Sequence, residues 1–341
     1  MLVTLALAAT VVSMALALEV ELRARAAHER AAGSVPADLA PRGLYRESAD
    51  PALRYELIPE ARVVAETGAR IEINGAGFRG PLPAVPKPRG TRRVIVLGDS
   101  EVFGAKLGEA DTLPAQLERA LNARRGAGWD VLNFGVEGYD TLQETRLFET
   151  RGVALEPDVV VLYFVSNDVL PPELVRVADG WDRSFLVRWG RDLVLMQRAR
   201  RLLGTGNDYR DYVRHAYDPG SRVWLLGRER VRALAERVAA AHARFLVVVA
   251  PEIFGIERRE ELLDTPYRAF HRALARLAED GIEVVDPLPA LVDCAARPTD
   301  LWVTPTDHHK NGRANRCIAE QVVTAGALAM DTTDAAHTEG P

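Results

Sequence analysis

Apolar positions along the chain fall into three regimes. Leu2–Leu18 is a run without a charged side chain, Tyr55–Gly80 alternates apolar and polar positions, and from Arg92 onward short unbroken apolar runs alternate with stretches of helical period. The third regime carries the fold. VIVLG (Val94–Gly98), VLNFG (Val131–Gly135), VVVLYFV (Val159–Val165), FLVVVAP (Phe245–Pro251) and IEVVD (Ile282–Asp286) lack polar alternation, which marks strands buried on both faces. Helical patterns separate them at about Leu113–Ala123, Leu142–Arg151, Ser221–Ala243 and Pro266–Glu279, and a last one runs over about Arg313–Leu328. A strand–helix–strand rhythm requires parallel neighbours. The pattern predicts an α/β chain, a three-layer α/β/α sandwich around a parallel sheet of about five strands, over residues 91–330.

The flanks read differently. Leu2–Leu18 is apolar on every face, unlike a helix buried on one side. Residues 1–18 are therefore expected to be a transmembrane anchor or export signal, with Ala15-Leu16-Ala17 as a small-x-small cleavage pattern. No basic residue precedes the run, and Arg23, Arg25 and Arg30 behind it oppose an outward-facing domain. The expected location is nonetheless membrane-anchored or exported, with the main domain in the periplasm or at the cell exterior. Residues 19–90 form an extension: a charged, Ala-rich helical stretch, a Pro/Gly linker to about Gly43, short strands or a hairpin around Asn74-Gly75, and a connector carrying Pro81, Pro83, Pro86 and Pro88. Residues of about 170–220 hold an insertion without a sheet strand. Its segment Trp181–Gly204 reads as a helix over the sheet edge in preference to one at a membrane surface. Residues 331–341 are expected to be a disordered tail.

Charge and composition narrow the function classes. A formal charge of −5, from 43 basic and 48 acidic side chains with no dominant basic run, argues against a nucleic-acid partner. The two cysteines, Cys294 and Cys317, exclude a disulfide scaffold and a Cys-only zinc site, and leave one bridge open in an oxidising compartment.

Open parallel sheets bind ligands beyond the carboxyl ends of their strands. There the chain places GDSEVFG (Gly98–Gly104), NFGVEGYDT (Asn133–Thr141), Ser166-Asn167-Asp168 and TPTDHHKNG (Thr304–Gly312). Singly, each also reads as turn or cap chemistry. The first turn has neither a G-x-G-x-x-G nor a G-x-x-x-x-G-K-[ST] pattern, against a nucleotide site. Together they supply the parts of a serine hydrolase. Ser100 stands at a strand-to-helix turn, a histidine would deprotonate it, and Asp307 would hold that histidine in one tautomer. The backbone N–H groups of Ser100 and Gly138 and the Asn167 carboxamide would receive an oxyanion. In an extended segment Asp307 and His309 share one side and His308 takes the other. That divergence, with no partner motif elsewhere, argues against a metal site. Lys310, beside the base, is expected to depress its pKa by charge repulsion.

GDS at Gly98–Ser100, the NxGxxG of Asn133–Gly138, the Asn167-Asp168 pair and the C-terminal Asp-x-His resemble the blocks of SGNH (GDSL-like) hydrolases, over roughly Arg92 to Val323. The resemblance implies a flavodoxin-like sandwich and an esterase, lipase, thioesterase or carbohydrate O-deacetylase without metal or organic cofactor. Carried over by residue, Ser100 is the nucleophile, Gly138 and Asn167 are oxyanion donors, His309 is the base and Asp307 its partner. Two positions depart from the family pattern: Thr306 stands where many relatives keep the aspartate, and Lys310 replaces a proline before Asn311. The apolar N-terminal segment and INGAGFRG (Ile73–Gly80) are similar to membrane-anchored bacterial members. The expected reaction is cleavage of an O-acyl, preferably acetyl, ester on a cell-envelope or extracellular glycan. A lipid or other small-molecule ester, acyl transfer by the same triad, and a non-catalytic glycan-binding or assembly protein are the alternatives.

Overall fold

The structure, a computed structural model, describes residues 42–169 and 209–326 together with Leu39 and Leu328. The apolar run at 1–18, most of the 170–220 insertion and the tail at 331–341 lie outside the described residues. Among the described residues no helix is long and apolar enough to cross a membrane.

The extension contributes two antiparallel pairs, β1 (Tyr45–Glu47) with β2 (Tyr55–Leu57) and β3 (Arg62–Val64) with β4 (Arg70–Glu72). The second pair turns between Ala65 and Ala69. The Asn74-Gly75 signal marks a second tight turn, flanked by an antiparallel bridge between Ile73 and Arg79, in which Asn74 Oδ1 accepts from the Ala76 and Phe78 N–H groups. Phe78 then stacks on Phe134 with centroids 4.6 Å apart, so the extension is packed into the core of the domain.

The central sheet comprises β5 (Arg92–Gly98), β6 (Trp129–Gly135), β7 (Val159–Phe164), β8 (Arg244–Val249) and β9 (Glu283–Val285). Their order is β6-β5-β7-β8-β9 and every pairing is parallel. All six residues of β7 are buried, the reason its sequence is an apolar run. The helices are α1 (Ser100–Phe103), α2 (Leu113–Arg125), α3 (Thr141–Leu147), α4 (Tyr209–Ala216), α5 (Arg222–Ala240), α6 (Arg259–Leu263), α7 (Arg268–Ala275), α8 (Leu288–Cys294) and α9 (Gly312–Thr324). Capping residues set several starts: Thr112 for α2, Ser221 for α5, and for α3 Asp140 in a capping box with Gln143. The helix predicted to reach Arg151 is α only to Leu147 and continues as a π turn over Phe148–Gly152.

Right-handed crossovers decide the layers. The chain leaves β5 toward β6, then returns past β5 to β7 and goes on to β8 and β9. The reversal puts α2 on one face and α3, α5 and α7 on the other. Helix α9 joins the α2 layer, where Arg125 donates to the Val323 carbonyl at 3.3 Å. Connections diverge between β5 and β7, which opens a crevice beyond their carboxyl ends. One further element was not legible in the sequence. TPTDHHKNG lies in an antiparallel hairpin, β10 (Trp302–Thr304) with β11 (Asp307–Lys310). Behind it, a Cys294–Cys317 disulfide ties α8 to α9 with Cα atoms 6.2 Å apart.

Candidate active site

Strand β5 ends in a sharp turn. Buried Asp99 accepts the Glu101 N–H at 2.9 Å, which starts the one-turn helix α1 at Ser100. Gly104, at φ +74°, ends it in the left-handed region that favours glycine. Arg79, from the INGAGFRG stretch, is 1 % exposed and donates to the Phe103, Gly104 and Leu107 carbonyls, so it braces the loop behind Ser100. The neighbouring NFG segment also packs on this turn. Asn133 donates to the Val102 carbonyl at 3.0 Å, and a Cβ on Gly135 would stand 2.1 Å from the Phe103 nitrogen. Only glycine permits that approach.

Hairpin β10–β11 brings the second half of the site. Ser100 Oγ lies 2.9 Å from His309 Nε2, and His309 Nδ1 lies 2.5 Å from Asp307 Oδ1. Asp307 also accepts the His309 backbone N–H at 3.1 Å. Two residues apart in an extended strand, acid and imidazole share one side, as the alternation predicts. Thr306 is exposed at the cleft and belongs to neither contact. Asn311 closes the hairpin onto α9: its Oδ1 caps the Arg313 and Ala314 N–H groups while its Nδ2 donates to the Asp300 and Trp302 carbonyls.

These residues line a cleft of about 470 Å³ that also includes Asn167, Lys106, Glu252, Phe254 and His308. Asn167 stands exposed on the loop after β7, where buried Asp168 fixes the turn by accepting the Val165 N–H at 2.8 Å. Gly138 is exposed in the turn after β6 and is not among the residues lining the cleft. His308 turns away from Asp307 and packs its ring on Trp302 and Phe254, with centroids 4.0 and 4.9 Å away. Among the described residues no group of three or more His, Cys, Asp or Glu side chains is placed to hold a metal ion.

Three charged side chains complete the electrostatics: Glu101 and Lys310, which lie inside the quoted motifs, and Lys106, which belongs to none. Lys106 donates to Asp307 Oδ2 at 2.9 Å from a residue at φ +65°. The His309 hydrogen bond, aided by Lys106 and outweighing burial, holds the Asp307 carboxyl well below the usual carboxylate range. Glu101 accepts from the buried Lys310 ammonium at 2.8 Å and from the Lys310 N–H at 3.3 Å. That ion pair corrects the expected effect of Lys310. Its charge is matched by Glu101 and does not depress the base. Burial alone would lower the His309 pKa, but the Asp307 hydrogen bond and the charges of Glu101, Asp307 and Asp99 prevail and push it up to about 9. Burial likewise pushes Asp99 up to about 6, against the hydrogen bond from Glu101.

The sequence profile of the GDSL-like lipase/acylhydrolase family matches residues 96–316. No curated protein sequence matches the chain. Among similar solved structures, the lipase Lip_vut3 from a goat rumen metagenome is 14% identical, the match covering 69% of this chain and 98% of that one at a TM-score of 0.47. The acetyl xylan esterase AlAXEase is 16% identical over 68% of this chain and 98% of its own, with a TM-score of 0.42. A member of the lipolytic protein G-D-S-L family from Veillonella parvula is 13% identical over 70% and 100%, with a TM-score of 0.41. The profile match begins within β5, takes in β6, β7, β8 and β9 whole, and ends within α9. On that span, the chain belongs to the GDSL-like lipase/acylhydrolase family and is a carboxylic ester hydrolase.

Proposed function

We propose that the protein is a serine esterase that cleaves an O-acyl, preferably acetyl, ester of a cell-envelope or extracellular glycan through an acyl-enzyme. The observation that carries this reading is the unbroken contact chain from Ser100 Oγ through His309 to Asp307, at 2.9 and 2.5 Å. His309 takes the Ser100 proton as Oγ attacks the ester carbonyl, and Asp307 stabilises the resulting imidazolium. The Ser100 N–H and the Asn167 carboxamide receive the oxyanion, with the Gly138 N–H as the third donor. The role of Gly138 rests on its place in the NxGxxG block and not on the lining of the cleft. His309 then protonates the departing alkoxide. Water, deprotonated by the same imidazole, releases the acid and restores Ser100. No step calls for a metal or organic cofactor.

Two features support a site of action outside the cytoplasm: the apolar run at 1–18, which reads as an anchor or export signal, and the Cys294–Cys317 bridge, which suits an oxidising compartment. The test of the reaction is kcat/KM across nitrophenyl esters of increasing acyl length. The highest value is expected for acetate, and Ser100→Ala is expected to remove it by about 10⁴-fold or more. A rate that climbs toward long chains would assign a lipase, and a rate indifferent to Ser100→Ala would refute the mechanism.

A further inference from the structure

One wall of the cleft is not used by the triad. On the loop after β8, Glu252 lines the cleft with one carboxylate oxygen held by the buried Ser166 hydroxyl at 2.5 Å. Ser166 in turn is hydrogen-bonded to Tyr209, which fixes the carboxylate from behind. Among the described residues Glu252 makes no direct ion pair, whereas Lys106 lies on Asp307 and Lys310 on Glu101; the Lys310 ammonium feels the Glu252 charge only from a distance. Two residues further on, Phe254 is 49 % exposed and belongs to an aromatic row, Tyr209–Phe254–His308–Trp302, whose successive centroids are 5.5, 4.9 and 4.0 Å apart. A carboxylate without a direct cation partner, beside an exposed ring, has a definite preference. The carboxylate accepts strong hydrogen bonds from hydroxyl donors and repels phosphate and carboxylate. The negative face of an aromatic ring attracts the weakly positive C–H face of a saturated ring.

We infer that Glu252 and Phe254 form a subsite for the sugar ring that bears the scissile ester, Phe254 packing on its C–H face and Glu252 accepting from its hydroxyls. The inference rests on the ester-hydrolase reading above and adds the recognition of the alcohol half of the substrate. It excludes phosphate-bearing alcohols such as lysophospholipids as preferred substrates. The Ser166 hydrogen bond fixes the position of Glu252 and makes it a selective acceptor, since little rearrangement precedes binding.

The experiment compares kcat/KM for mono-O-acetylglucose, lysophosphatidylcholine and 4-nitrophenyl acetate in the wild type, Glu252→Gln and Phe254→Ala, with thermal unfolding to confirm folding. Each variant is expected to lower the ratio of sugar ester to nitrophenyl acetate, Glu252→Gln by about tenfold through loss of a charge-assisted hydrogen bond. Equal losses on the two acetyl esters in a wild type that hydrolyses both overturn the subsite alone, as does a wild type that prefers lysophosphatidylcholine. A wild type inert toward all three overturns the hydrolase reading and the subsite with it.

Discussion

His309 accepts the Ser100 proton only when neutral, so its pKa sets the pH dependence of the reaction. With that pKa pushed up to about 9, kcat/KM is expected to rise with pH and to level off only above about 9, falling about tenfold per unit below it. Lys106 tunes the same group. Its ammonium offsets part of the Asp307 charge, so Lys106→Met leaves a more negative neighbour and holds the proton on His309 to higher pH. The expected result is an alkaline shift of the ascending limb and a loss of about tenfold in kcat/KM near neutral pH, with Lys106→Arg restoring both. A lowered rate with an unmoved limb would show that Lys106 only shapes the loop. Asp307 and His309 were legible in the sequence because alternate residues of an extended strand share a side. Lys106 was not, since its contact spans the gap from the loop after α1 to β11 and depends on a single residue at φ +65°.

Between elements, the base is located by the Glu101–Lys310 pair. Glu101 on α1 holds both the ammonium and the backbone N–H of the residue next to His309, so the helix of the nucleophile and the strand of the base are fixed to each other. The Lys310 side chain is 2 % exposed, and removal of its partner strands a buried charge. Glu101→Ala is therefore expected to cost about 3–5 kcal/mol in urea unfolding, and the double change Glu101→Leu with Lys310→Met to cost less than the single one. Equal costs would mean that the pair is solvated in solution. The sheet is legible in the sequence because strands covered on both faces have nothing to alternate with. Hairpin β10–β11 leaves no pattern in the sequence because its strands have three and four residues, and its polar sequence matches neither period. The hairpin is held by Asn311 and by packing of His308 on Trp302, contacts that appear only once the chain has folded.

On the scale of the whole molecule, the two cysteines separated by 23 positions join α8 to α9 directly behind that hairpin. Thiol titration of the unfolded, unreduced protein is expected to find no free thiol, and reduction to lower the unfolding free energy by about 3 kcal/mol through the loop it frees. Two free thiols would remove the bridge and its support for export. The fold itself gathers the chemistry: strand order places β5 and β7 at the divergence of the crossovers, and the last hairpin swings the acid and base over their ends. The central claim is that this convergence makes Ser100 a nucleophile. A fluorophosphonate probe, with the adduct located by peptide mass spectrometry, tests it most directly. The account predicts one adduct, on Ser100, absent in Ser100→Ala and strongly slowed in His309→Ala; a folded protein that stays unlabelled, or is labelled elsewhere, would contradict it.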